Sequence, residues 1–339
     1  HYRGGLGYVA VIAAIIMASL SGSAVADTAA LAAILIPMMR AAGYDVNRSA
    51  GLVAAGGIIA PVIPPSIGFI IFGVAGNVSI TKLFLAGIVP GVMMGIAIGI
   101  AWWWVAKREN VQPAPNMPMN ERLKVTANSI FAIALPVIII GGMKAGVFTP
   151  TEAAVVAAVY AFIVGAFIYR ELKLSQVYGL FLAAGKTTAV VMFLVSAAMV
   201  SAWLITVANI PAEVARMLSP FMDNKTLLML VMMVLIVIVG TALDFAPTVL
   251  ILTPVLMPVV IQAGIDPVYF GVLFIMNNAI GLITPPVGTV LNVVCGVAKI
   301  SMDDAFKGVM PFLIAQLIVL FLLVFIPDLV MVPLKWWMR

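Results

Sequence analysis

The sequence predicts an all-α polytopic membrane protein, an inverted repeat with two re-entrant helical hairpins and two discontinuous helices. Three observations carry this. Of 339 residues, 64% are hydrophobic and 9% charged, and the mean hydropathy is +1.21, whereas soluble domains are about 45–50% apolar and 25% charged. The apolar runs, near the ~20 residues that span a bilayer, are of two kinds: some unbroken, others interrupted midway by Ser, Gly, Thr, Asp or Pro-Pro. Finally, the two ends of the chain match each other at a single offset of 221 residues.

The elements follow in order. Residues 7–40 are too long for one helix and carry SLSGS (19–23) and Asp27 in the middle. An aspartate in hydrocarbon costs roughly 2.5–3.5 kcal/mol, so this segment reads as a hairpin with a polar tip. Residues 49–76 read as two half-helices around IPPS (63–66), because proline removes a helix donor and clashes with the preceding turn. An unbroken span is expected at 83–106, with Trp102, Trp103 and Trp104 as interfacial anchors. The segment KRENVQPAPNMPMNERLK (107–124) holds three prolines and reads as a polar loop. Spans are expected at 128–147, 151–170 and 187–208. A second hairpin occupies 226–262 with GTALD (240–244) at its tip, a second broken helix 268–298 around TPPVG (284–288), and a last span 305–326. Met-rich LLMLVMMVLIV (227–237) suits packing, and Trp336 and Trp337 suit an interface. This divides the chain into a first repeat (1–106), a connecting loop with scaffold helices (107–225) and a second, inverted repeat (226–339).

The offset pairs Pro37 with Pro258, Gly43 with Gly264, Asp45 with Asp266, Pro64 and Pro65 with Pro285 and Pro286, Gly87 with Gly308, and Pro90 with Pro311. Glycine and proline mark backbone conformations other residues adopt poorly, so their coincidence argues for a repeated backbone. If each hairpin returns to its own side, five crossings separate the two, and an odd number inverts the second half. Twelve Lys and Arg residues then fall on one side and six on the other, placing the first hairpin and the 107–124 loop in the cytoplasm.

Several classes are excluded. One cysteine, Cys295, forbids an intramolecular disulfide, and His1 alone forbids histidine-rich metal sites. The net charge of +5 is scattered between apolar runs, which speaks against nucleic acid. Two aspartates at membrane depth suit an intramembrane aspartyl protease, but AVADTA and TALDFA lack its Gly-x-Gly-Asp context, which leaves it a remote alternative; no catalytic residue and no enzyme are expected. No signal peptide opens the chain, and His1-Tyr2-Arg3 implies residues upstream.

Unwound backbone at mid-membrane survives where it lines a cavity or binds something, and paired broken helices in inverted repeats mark secondary transporters. Non-helical carbonyls at a tip facing a Pro-Pro break suit Na+, and half-helix N-termini suit a carboxylate. Each feature also has a plainer reading. Ser19, Ser21 and Ser23 suit close helix packing, the Pro pairs suit kinks, and Asp27 and Asp244 suit helix caps.

The combination MASLSGSAVADTAA, GGIIAPVIPPS and GLITPPVGTVLNV resembles the large membrane subunit of tripartite ATP-independent periplasmic (TRAP) transporters, over essentially the whole chain. The resemblance is nearest to large permeases for sugar-acid carboxylates such as diketogulonate, and full-length members begin with additional transmembrane helices. It implies an elevator-type, Na+-driven transporter of the bacterial inner membrane, without organic cofactor. Hairpins and broken helices would slide against a scaffold of the continuous helices and a separate small four-helix subunit, and a periplasmic binding protein would deliver an organic or sugar acid. Carried over residue by residue, one Na+ site would lie between the first tip (Ser19, Ser21, Gly22, Ser23) and the break at Ala60, Ile63 and Pro64. Another would lie between the second tip (Gly240, Thr241, Asp244) and the break at Gly281, Thr284 and Pro285. Substrate would sit near Ser66, Gly288 and Thr289, with Asp27 as a further candidate. An independent Na+- or H+-coupled carboxylate transporter without a binding protein is the alternative.

Overall fold

The computed structural model describes residues 3–109, 111 and 119–338, with side chains from 129 onward in the second stretch. Part of the expected 107–124 loop therefore lies outside the described residues. Among the described residues there are only helices and turns apart from one isolated bridge residue, and seven helices are long and apolar enough to cross a membrane.

The chain starts with α1 (Gly5–Ser21), turns at Gly22 in the left-handed conformation (φ 64°), and continues as α2 (Ala24–Ala41), N-capped by Ser23. Glycine has no Cβ to oppose that φ, which is why the hairpin turns there. α3 (Val46–Gly57) is capped by the Asp45 carboxylate and ends before a break at 58–66; α4 (Ile67–Ala75) restarts on the Ser66 cap and α5 (Ile80–Arg108) follows. Next come α6 (Met119–Lys144), α7 (Pro150–Ile163, running into a π turn at Val164–Ile168) and α8 (Leu174–Val207). After α9 (Ile210–Leu218), the second hairpin is α10 (Lys225–Ala242) and α11 (Phe245–Gln262). The second broken helix is α12 (Pro267–Gly281) and α13 (Thr289–Ala298), and α14 (Met302–Phe325) and α15 (Asp328–Trp337) close the chain.

The repeat is visible in the backbone. At the offset of 221 residues, the ends of α1 and α10, the starts of α2 and α11, their ends, and the starts of α3 and α12 coincide residue for residue. Both Pro-Pro bonds, Pro64–Pro65 and Pro285–Pro286, are cis. Packing repeats as well: α2 lies on α13 as α11 lies on α4, and α3 lies on α14 as α12 lies on α5. Each repeat therefore packs into the other.

Two compact units result, His1–Asn116 with Ile210–Arg339, and Met117–Asn209. In the first, the broken helices form the centre: every residue of Ser49–Gly57 in α3 and of Val268–Gly281 in α12 is buried. Phe72 packs on Phe270 and Phe274 with ring centroids 6.1 and 5.5 Å apart. The same unit contains α5 and α14 together with both hairpins. In the second unit, Thr149 and Glu152 form a capping box at the start of α7, Tyr160 donates to the Phe131 carbonyl of α6, and α8 buries none of its residues.

Several expectations need correction. The tips are narrower than SLSGS and GTALD, because only Gly22–Ser23 and Leu243–Asp244 leave the helix; the Ser19 and Thr241 hydroxyls bond back to the Ile16 and Ile238 carbonyls, an arrangement helices tolerate. α8 begins at Leu174 rather than 187, and α9 and α15 were not anticipated. Trp102 is not an interfacial anchor: it is buried, stacks on Tyr44 at 5.9 Å and donates Nε1–H to the Gly4 carbonyl at 2.8 Å. Successive helical residues are turned by about 100°, so three tryptophans in a row cannot share one face.

Candidate functional site

Each hairpin tip is seated on the break of its own repeat. A Cβ placed on Gly22 would lie 2.4 Å from the Pro65 carbonyl oxygen and 3.2 Å from the Ile67 nitrogen, so only glycine allows this approach. The tip thus meets residues 65–67, just past the expected 60–64. Ala60, Ile63 and Pro64 are buried in the turns of the break, where Ala60 N–H donates to Gly57 and Ile63 N–H to Ile59. In the second repeat, a Cβ on Gly281 would lie 3.0 Å from the Gly240 carbonyl group, and Val287 N–H donates to the Thr241 carbonyl at 3.2 Å. The expected pairing of Gly240 and Thr241 with the second break is present as backbone contact.

The side chains divide into occupied and open groups. Ser21 donates to Asp27 Oδ1 and accepts the Ser23 N–H, while Ser23 Oγ accepts from Ala26 N–H. Ser66 is buried, donates to the Pro61 carbonyl and accepts from Phe69 N–H, so its hydroxyl is used within the break. Thr284 bonds back to the Ile280 carbonyl. Asp244 and Pro285 flank the second tip and break; the Asp244 side chain makes no cap bond and is exposed. Gly288, at φ 46°, starts α13, and Thr289 is its first residue.

Buried oxygens without a hydrogen-bond partner are costly, so each calls for an explanation. Among the described residues, four lie here: Asp27 Oδ2, Thr28 Oγ1, Asn278 Oδ1 and Thr289 Oγ1. Asn278 Nδ2 donates to the Phe245 carbonyl at 2.9 Å, while its Oδ1 faces Gly240, where a Cβ would lie only 3.0 Å away. In the first repeat the matched position is Gly57, whose missing Cβ makes room for Thr28: the added atom would lie 1.8 Å from Thr28 Oγ1. Thr28, Gly57 and Asn278 were missed in the sequence. MNNAI (276–280) was the available signal, two amides inside an apolar run.

The start of α4 links the two hairpins. Ser66 and Ile67 touch the first tip through Gly22, and Gly68 lies against Phe245, the first residue of α11, where a Cβ would come within 2.7 Å of the ring. The N-termini of α2, α4 and α11 therefore converge, and helix N-termini carry partial positive charge that favours anions. The break-side oxygens offer the complementary field. Among the described residues, no three His, Cys, Asp or Glu side chains cluster, so the oxygen donors are mostly hydroxyl, amide and backbone groups.

Comparison with known proteins agrees. A family model described as "Tripartite ATP-independent periplasmic transporter, DctM component" matches residues 1–329. The chain is 59% identical over 336 residues to a 2,3-diketo-L-gulonate TRAP transporter large permease protein of Escherichia coli, covering 99% of this chain and 79% of that protein. It is 37% identical over 328 residues to a sialic acid TRAP transporter large permease protein of Vibrio cholerae (97% and 77% covered). It is also 35% identical over 336 residues to a C4-dicarboxylate TRAP transporter large permease protein of Pseudomonas aeruginosa (99% and 79%). Two hairpins seated on two proline breaks, repeated at one offset and matched across the chain by this family, have one meaning: the chain belongs to the tripartite ATP-independent periplasmic transporter family as its DctM component, the large permease, a multi-pass membrane protein.

Proposed function

We propose that this permease carries out Na+-coupled uptake of an organic or sugar-acid carboxylate across the bacterial inner membrane, together with a small four-helix membrane subunit and a periplasmic binding protein. The observation that carries the reading is the set of unpartnered buried oxygens at the two tip–break contacts. Such oxygens suit a hard, weakly polarising cation, and the donor set is compatible with Na+. On this reading, one ion is held by the Ser21–Ser23 tip with Thr28 and the first break, and the other by the Gly240–Thr241 backbone with Asn278 and the second break. The ion supplies positive charge next to the substrate and couples its movement to the Na+ gradient. The chain orients the carboxylate with the N-termini of α2, α4 and α11 and with Gly288 and Thr289.

The three relatives are named for diketogulonate, sialic acid and C4-dicarboxylates, all carboxylates, which supports that substrate class. No residue of α8 is buried within the second unit, which supports a membrane partner. An odd number of crossings between the hairpins makes the second repeat inverted in the membrane, the arrangement expected of alternating access. The test is uptake of radiolabelled carboxylates into proteoliposomes holding both membrane subunits and the binding protein. Uptake should follow an inward Na+ gradient and collapse when K+ replaces Na+. Equal uptake in K+ would end the Na+ assignment.

A further inference from the structure

The surface of the first unit carries a feature apart from the two tip–break contacts. α5 and α14 run antiparallel past each other: Arg48 pairs with Glu109 just beyond the end of α5 and also bonds the Lys307 and Gly308 carbonyls near the start of α14. Between them lies a groove of about 520 Å³ lined only by apolar residues, from Trp104 and Pro311 at one end to Ala97 and Val319 at the other. Eight helical residues separate Pro311 from Val319, so the groove is ~12 Å deep, most of one leaflet's hydrocarbon. Its mouth is cationic. Lys107 Nζ sits 5.5 Å from the Trp103 ring centroid and the Arg108 guanidinium 5.3 Å from that of Trp104, and neither forms an ion pair among the described residues.

We propose that this groove is a binding site for one anionic phospholipid, with an acyl chain between α5 and α14 and the phosphate on Lys107 and Arg108. The charge complementarity favours a lipid. Two cations without an ion pair among the described residues cap a wholly apolar slot at the membrane boundary, which fits an amphiphile with one anionic end. Glu109 does not oppose it, because Arg48 already neutralises that carboxylate at 3.0 Å. A transmembrane helix would need a longer face than ~12 Å, only about two turns. Trp103 and Trp104 are half-exposed and belong to the aromatic belt, where indoles meet headgroups. Since α5 and α14 pack within the unit that holds both hairpins, the lipid would accompany that unit. The inference rests on membrane spanning alone and is independent of the coupling ion.

Tryptophan fluorescence tests it. The intact permease, with Trp203, Trp336 and Trp337 changed to Phe, is reconstituted in unbrominated phosphatidylcholine and titrated with phosphatidylglycerol or phosphatidylcholine brominated on the acyl chains. Brominated phosphatidylglycerol should quench at a mole fraction about thirtyfold lower, given about 1 kcal/mol for each of the two cations at an anionic headgroup. Lys107→Gln with Arg108→Gln should make the two lipids equivalent. Ala315→Phe, which fills the groove and leaves the cations, should also abolish the preference. Equal quenching in the parent protein would reduce the site to ordinary annular lipid and overturn the proposal. So would a photo-cross-link from position 100 that captures a polypeptide rather than lipid.

Discussion

Gly57 and Asn278 occupy matched positions in the two repeats and do opposite things. Gly57 vacates space for Thr28, whereas Asn278 fills the space with an amide whose oxygen has no partner. Gly57→Ala, whose Cβ would overlap Thr28 Oγ1, is expected to abolish uptake even where the protein still inserts, as read by transport per mole of purified protein. Asn278→Ala removes a buried oxygen, and its half-saturating Na+ concentration should rise roughly fivefold or more, the equivalent of ~1 kcal/mol. Ser23→Ala should raise the Na+ requirement and also cost about 1 kcal/mol as a lost N-cap. Thr241→Ala should be milder, because the Thr241 hydroxyl already bonds back to Ile238 and only its carbonyl faces the break. Unchanged Na+ dependence in Asn278→Ala and Ser23→Ala alike would leave ion binding to backbone carbonyls. The hydroxyls of the first tip were legible because serine interrupts an apolar run. Thr28 was not, since its significance depends on a glycine 29 residues away coming into contact.

Among elements, the crossing of α3 and α14 shows what holds the repeats together. Gly51 and Gly308 bring the two backbones into contact: a Cβ on Gly308 would lie 1.9 Å from the Asn47 carbonyl oxygen. Pro311 has no N–H for the Lys307 carbonyl four residues earlier, and Arg48 Nη1 donates to that oxygen at 3.1 Å and to Gly308 at 3.0 Å, while its Nε pairs with Glu109. Arg48→Gln should therefore lower the melting temperature of the solubilised permease by a few degrees, in line with the ~1–2 kcal/mol expected for partly exposed charged bonds. Arg48→Lys should not restore it, because one ammonium cannot serve two carbonyls and a carboxylate from the same position. The prolines themselves were readable in the sequence, and so were both breaks. The arginine that compensates one of them was not, for it comes from the other repeat.

For the whole molecule, the first unit contains both hairpins, both broken helices and the continuous helices α5 and α14; the second contains α6, α7 and α8. Single cysteines at Asn116, which lies outside the described residues, and at Asn209 should label from opposite sides of the membrane in a Cys295→Ser background. Labelling from one side would mean an even number of crossings and no inversion. Purified without its partners, the permease should show little uptake of free substrate, and adding the small subunit with the binding protein should restore it. Robust Na+-driven uptake by the permease alone would instead favour a self-sufficient transporter.

What the sequence determined by itself was the solvent and the periodicity: composition demanded a membrane, and Gly, Pro and Asp at matched positions announced a duplicated backbone to the residue. These are properties each segment carries locally, because backbone freedom and hydrophobicity belong to the residue. Tertiary structure alone decided which helices share a unit, that Trp102 is core, and that Ser66 is spent within its own turn while Thr28 and Asn278 keep open oxygens. Those outcomes depend on which partner arrives at a hydrogen-bonding distance from a remote part of the chain, and a polar atom's availability is a property of that encounter, not of the residue.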